Sequence, residues 1–124
     1  MPFSLNQSIF ANVPTGDIVS KIARTATGAS IWVDIGAGKE IVIQLQSDAG
    51  SGTTPTLDVK FQTSFNALDA TAIDVPTGSF TQVLGAASAQ IKTATAVHRF
   101  VKVVWTITGT TPSFNFGVYA TSRS

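Results

Sequence analysis

Seven carboxylates, one histidine and no cysteine set the range of chemistry open to this chain of 124 residues. A serine nucleophile would need His98 as its base, an acid to orient it and a sharp strand-to-helix elbow. The sequence contains no G-x-S-x-G. His98 stands beside Arg99 at the expected start of a strand, a position that suits a polar residue without any catalytic role. A lone histidine with no thiolate to help it cannot complete a zinc site. Glycoside hydrolysis needs two carboxyl groups facing each other across a sugar. Asp17, Asp34, Glu40, Asp48, Asp58, Asp69 and Asp74 are scattered, and none lies in an aromatic-rich run. Asp69 and Asp74 flank a polar loop but lack the spacing of a calcium loop. These residues imply no enzyme, no cofactor and no metal. The triplet Asn6-Gln7-Ser8 matches a glycosylation acceptor. Met1 to Asn12 has neither a basic start nor an apolar core, so no secretory signal is expected to give that match meaning.

What remains is surface chemistry. Trp32 falls on the opposite side of its segment from Ile31, Val33 and Ile35. Core packing is the default for it as for Trp105; an exposed Trp32 would be an interface anchor or a platform for a sugar ring. Trp105 shares a side with Val101, Val103 and Ile107 and is expected in the core.

The elements that must carry these residues are strands. Asp17 to Ala23, Ala29 to Ile35, Lys39 to Gln46 and Thr56 to Thr63 alternate apolar and polar residues. That is the period of a strand with one face buried. Ser79 to Leu84 and Ala89 to Thr93 are shorter candidates. His98 to Thr108 and Pro112 to Thr121 are the strongest, dense in β-branched and aromatic residues. Pro76-Thr77-Gly78 reads as a turn, and Asn66 to Ile73 as a short helical turn at most. About eight short strands separated by turn signals make an all-β fold: a sandwich, jelly roll or barrel.

One hexapeptide occurs twice. Ser51-Gly52-Thr53-Thr54-Pro55-Thr56 and Thr108-Gly109-Thr110-Thr111-Pro112-Ser113 each separate two alternating strands. Glycine supplies unusual backbone angles, proline fixes φ and ends hydrogen bonding, and the hydroxyls satisfy turn backbone. The expectation is two equivalent hairpins, Lys39–Gln46 with Thr56–Thr63 and His98–Thr108 with Ser113–Thr121. A phosphate-cradling glycine loop would lead into a helix, and both copies lead into strands.

Charged residues make up 12% of the chain, half the usual share, and the net charge is +1. The basic residues are dispersed, which excludes the clustered footprint of a nucleic-acid binder. No apolar run reaches the ~20 residues of a membrane span. So little charge suits a protein whose outside is covered by partners. Met1 to Gly16 has no period, two prolines and the apolar residues Phe3, Leu5, Ile9, Phe10 and Val13. It reads as an extended N-terminal arm, able to reach ~50 Å, ahead of a single β-domain over 17–124.

The second half of the chain resembles small virion proteins of tailed bacteriophages. The resemblance rests on Arg99-Phe100-Val101-Lys102-Val103-Val104-Trp105-Thr106-Ile107-Thr108-Gly109-Thr110-Thr111-Pro112-Ser113-Phe114. It extends to the upstream run from Ser51 to Ser64 and to Ser79-Phe80-Thr81-Gln82-Val83. Lys102 stands where those proteins often have arginine. The resemblance spans about Gly50 to Ala120 and leaves the arm out. It implies a capsid cement, or decoration, protein: an antiparallel, jelly-roll-like β-sandwich, often a homotrimer, on the outer surface of the head. Such a protein clamps neighbouring subunits of the major capsid protein. The interface expected on this reading comprises Phe3, Leu5, Ile9 and Phe10 of the arm, Trp32, and the two threonine–proline turns at Pro55 and Pro112. The alternative is a tail- or spike-associated module that recognises a surface glycan or another tail protein, with an exposed aromatic patch near Trp32 or Tyr119.

Overall fold

A computed structural model describes residues 17–35, 40–95 and 97–123. The expected arm, with Phe3, Leu5, Ile9 and Phe10, lies outside the described residues. The described residues form eight strands: β1 Asp17–Arg24, β2 Gly28–Ala29, β3 Val33–Asp34, β4 Glu40–Ser47, β5 Ser51–Ser64, β6 Ile73–Ser79, β7 Ser88–Ala94 and β8 Phe100–Arg123. A single 3-10 turn, Asp69–Thr71, lies within the segment where a short helical turn was expected.

Every pairing is antiparallel, and the strands make one sheet folded into two layers. The front layer runs β1, the second half of β8, β4, β7. The back layer runs β2 and β3, the first half of β8, β5, β6. The fold class is therefore as expected: an antiparallel, jelly-roll-like sandwich, nearly closed. The core lies between the layers and consists of the residues that the alternation placed together. Ile41, Ile43 and Leu45, then Leu57, Val59 and Phe61, then Val101, Val103, Trp105 and Ile107, then Phe114, Phe116, Val118 and Ala120 are all buried.

The two hairpins do not form. β4 pairs with Thr121-side residues of β8 (Gln44 opposite Tyr119), and β5 pairs with the first half of β8 (Leu57 opposite Ile107). The chain from Glu40 to Ser64 thus runs antiparallel to the chain from Phe100 to Arg123 along its whole length. This two-stranded ribbon passes from the front layer to the back layer through one bend. The two hexapeptides are the two strands of that bend, facing each other: Ser51 opposite Ser113, Thr53 opposite Thr110, Thr56 opposite Thr108. They share an unusual backbone, with Gly52 at φ 106° and Gly109 at 125°, and Thr54 and Thr111 both at 46°. Thr54 and Thr111 each donate a hydroxyl bond to the preceding carbonyl, at 2.8 Å in both copies. The Thr56 and Thr108 hydroxyls bond each other across the bend. The repeat is real; its meaning is a corner made by two crossing strands.

Three shorter expectations are also corrected. Ala29–Ile35 breaks into β2 and β3, because the Ser30 hydroxyl, not a backbone carbonyl, accepts the Val103 amide at 2.9 Å. Pro76-Thr77-Gly78 lies inside β6 as a bulge between the Lys60–Ser79 and Gln62–Asp74 pairs. Beyond it, Phe80 to Leu84 holds one isolated bridge, Leu57 to Val83, where a strand was expected.

On one side the layers are sewn together by side chains. The Gln90 amide of β7 accepts from the Thr81 amide at 2.8 Å and donates to the Thr81 carbonyl at 2.9 Å. It replaces one rung of a ladder, and so closes an edge that would otherwise offer itself to another strand. Thr77 adds a bond to the Thr93 carbonyl at 3.1 Å. At the other side Arg24 caps the core. Its guanidinium stacks 5.1 Å from the rings of both Trp105 and Phe116 and donates to the Ser20 and Phe116 carbonyls.

Candidate functional site

Trp32 belongs to the β2–β3 connection, which runs beside the first half of β8. Its ring covers the Lys102 ammonium at 5.0 Å, and its indole N–H donates to the Asp69 carboxylate at 3.0 Å. Lys102 Nζ reaches the same carboxylate at 2.6 Å. A lysine on the outer face of a strand is thereby 9% exposed. The pair of donors holds the Asp69 carboxyl below the usual carboxylate range, with the Lys102 bond first and the Trp32 bond second. The triad ties the β2–β3 connection to the 3-10 turn over β8. Trp32 is therefore not the open aromatic platform expected of a sugar-stacking residue.

Around this triad the protein leaves large apolar side chains in solvent. Ile31 is 81% exposed, Phe65 64%, Ile73 58% and Leu68 55%. They gather at one end of the back layer. Ile31 adjoins Trp32, Leu68 adjoins Asp69, and Phe65 meets the His98 ring edge-on at 6.4 Å. Ile73 stands opposite Thr63, one residue before Ser64 and its partner Phe100. The loop that carries Phe65 and Leu68 is held rigidly from beneath, since the buried Ser64 hydroxyl bonds Asn66 Oδ1 and Thr71 Oγ1. A monomer seldom holds four such side chains in solvent at one end of a layer unless something covers them. Sequence reasoning singled out none of these four, only the neighbouring Trp32. The signal for the others was Phe65, Leu68 and Ile73 interrupting an otherwise small and polar stretch.

Pro55 and Pro112 come together at the bend, both half-buried. Trp32 lies over Lys102, about ten residues along β8 from Pro112, or roughly 30 Å. The expected interface residues are thus at two separate places.

The outer face of the back layer carries a second feature. Asp58, Lys60, Ser79, Phe80, Val104 and Thr106 line a depression of about 210 Å³. Asp58 accepts two bonds from the Gln82 amide, and Lys60 pairs with Asp74 at 3.0 Å. Bonds from Gln62 and Lys60 hold the Asp74 carboxyl low. The front layer has a smaller hollow of about 100 Å³, lined by Val42, Gln44, Ile91, Tyr119, Ala120 and Thr121. Among the described residues, no three His, Asp or Glu side chains are grouped to hold a metal ion. No helix there is long and apolar enough to cross a membrane.

No family model matches the sequence, and no curated protein matches it. Solved structures do match the fold, and most are carbohydrate-binding modules. A CBM4 module aligns over 86% of this chain and 68% of its own, with TM-score 0.52 and 16% identity. The N-terminal cellulose-binding domain of β-1,4-glucanase C from Cellulomonas fimi aligns over 87% and 76%, with TM-score 0.51 and 11% identity. TmCBM61, solved with β-1,4-galactotriose, aligns over 99% and 100%, with TM-score 0.50 and 10% identity. A phage-derived neighbour, the SPBc2 prophage protein YomS, reaches a TM-score of 0.39 at 12% identity, too low to carry an argument. At such identities the likeness is one of fold alone.

Proposed function

We propose that this protein is a non-catalytic structural component of a phage particle, seated on the outside of the head and stabilising it. The apolar end of the back layer rests on the major capsid protein. The observation that carries this reading is the display of Ile31, Phe65, Leu68 and Ile73 on a rigid loop system around the Trp32–Lys102–Asp69 triad. The resemblance of Ser51–Ser64 and Arg99–Phe114 to phage virion proteins supplies the particle. Homotrimer contacts belong to a second surface, the bend at Pro55 and Pro112. Copies do not associate through the β6–β7 side, whose backbone is already occupied by Gln90 and Thr77.

Heads purified without this protein provide the test. Wild-type protein is expected to cosediment with them, and the double substitution L68D/I73D to abolish cosedimentation while leaving the thermal midpoint within a few degrees. A double variant that decorates heads normally would remove the apolar end from the interface.

The fold likeness and the depression at Asp58, Lys60, Ser79 and Thr106 favour one other reading, a module for a neutral or charged glycan. An apolar floor at Val104 rimmed by a carboxylate, an ammonium and hydroxyls suits a polyhydroxylated ligand. Retardation of the protein in polysaccharide gels, lost in D58A/T106A and kept in L68D/I73D, would establish that reading instead.

A further inference from the structure

The single tyrosine of the chain lies flat where a strand residue would ordinarily stand. Val118 and Ala120 point into the core, so Tyr119 is on the outer face of the front layer. It is nevertheless half-buried, and Gly117, two positions before it on the same face, is buried. A Cβ on Gly117 would meet the Tyr119 hydroxyl oxygen at 3.0 Å and Lys21 Cβ at 3.0 Å. Residues two apart on a strand are separated by about 7 Å, the reach of a tyrosine side chain. The ring therefore runs along β8 and covers Gly117, which has no side chain to lift it. A ring laid down in this way turns one π face to the sheet and the other to solvent.

Strand β4 sets polar groups beside the ring. Gln44 is the cross-strand neighbour of Tyr119, and Gln46 that of Gly117. Gln44 Nε2 donates to Gln46 Oε1 at 3.4 Å. That bond leaves the Gln44 carbonyl oxygen as an acceptor and the Gln46 amino group as a donor, side by side. On the other flank Lys21 is neutralised by Asp48 at 2.8 Å. A π face attracts C–H groups through its negative quadrupole, and an adjacent donor and acceptor match two neighbouring hydroxyls. A pyranose ring offers both: an apolar C–H face and vicinal hydroxyls at its edge. We propose that the outer face of the front layer binds a neutral sugar ring of a polysaccharide, stacked on Tyr119 and held at its edge by Gln44 and Gln46. An acidic sugar gains nothing there, because Lys21 is already paired with Asp48. The site is on a different layer from the apolar end and from the Asp58 depression, so it holds whichever partner the back layer serves.

With one tyrosine in the chain, isotope labelling of tyrosine alone gives one set of ring signals in an NMR titration. The probes are xylotetraose, cellotetraose and mannotetraose, with tetragalacturonate as the acidic comparison. In the full chain at least one neutral probe, at about 10 mM, is expected to shift the Tyr119 ring signals together with the amides of Gln44, Gln46 and Gly117. Tetragalacturonate is expected to bind at least about threefold more weakly, since its carboxylates lose water without gaining a partner. Y119A is expected to lose at least about tenfold in affinity, while Y119F, which keeps the ring, stays within about threefold of wild type. Ring signals unmoved by every neutral probe would overturn the proposal, as would equal or tighter binding of tetragalacturonate. Shifts confined to the amides of Asp58, Lys60 and Val104 would overturn it in favour of the back-layer depression.

Discussion

Individual residues here act mainly by satisfying one another. Lys102 illustrates the point: a nearly buried lysine is tolerable because Asp69 neutralises it and the Trp32 face attracts it, a contact worth roughly 0.5–2 kcal/mol. The sequence revealed none of this, since Trp32 and Lys102 lie far from Asp69 along the chain and strand alternation placed Trp32 simply outside. The arrangement has a consequence for acid stability. Asp69 and Asp74 both have carboxyl groups held below the ordinary range, by Lys102 and Trp32 in one case and by Gln62 and Lys60 in the other. A carboxyl whose folded pKa is depressed stabilises the fold at every pH above its unfolded value of about 4, and that stabilisation is lost as pH falls through the lower folded value. Urea midpoints are therefore expected to be flat from pH 7 to about 5 and to fall below about 4. In K102M the fall is expected to be shallower, because Asp69 loses the larger of the two bonds that favour its ionised form and keeps only that from Trp32. An identical acid slope in K102M and wild type would show that this carboxylate contributes nothing.

At the scale of elements, alternation identified which residues face inward but not which strand lies beside which. The inward sets of β4, β5 and both halves of β8 were legible because a two-residue period leaves a face no other choice. The partners were not legible because two similar turns between four similar strands are as compatible with two hairpins as with one bent ribbon. The deciding fact is steric and lies at the glycines. A Cβ on Gly52 would sit 2.6 Å from the Thr111 carbonyl oxygen, and one on Gly109 would sit 2.9 Å from that of Thr54. Each hexapeptide thus presses on the other, as the two strands of a single corner must. Positive φ at both positions adds strain for any L residue. G52A and G109A are each expected to cost about 2–4 kcal/mol, combining backbone strain and crowding. G85A meets nothing within 4 Å and is expected to change stability by less than ~0.5 kcal/mol. Chemical denaturation of the three variants checks this. A large cost at one glycine and none at the other would contradict the matched geometry of the bend.

For the whole molecule, a sandwich of this kind hosts many functions, so the fold sets limits without choosing among them. Charge is more informative. Among the described residues, Asp48 pairs with Lys21, Asp74 with Lys60, Asp34 with Arg99 and Asp69 with Lys102. With a net charge of +1, little field remains to attract or orient a partner. If the protein decorates a phage head through the apolar end of its back layer, attachment must rest on burial of Ile31, Phe65, Leu68 and Ile73. That dependence is testable, because salt distinguishes the two driving forces. Raising NaCl from about 0.05 to 0.5 M shortens the screening length from roughly 14 to 4 Å and weakens any interface built on exposed charges. Burial of apolar surface is not screened and is slightly strengthened by salts excluded from protein surfaces. The Kd for heads is therefore expected to change by less than about threefold across that range, whereas a docking surface built on several charge pairs would weaken by tenfold or more. A steep loss of binding with salt would move the interface away from the apolar end and toward the charged rim of the Asp58–Lys60 depression.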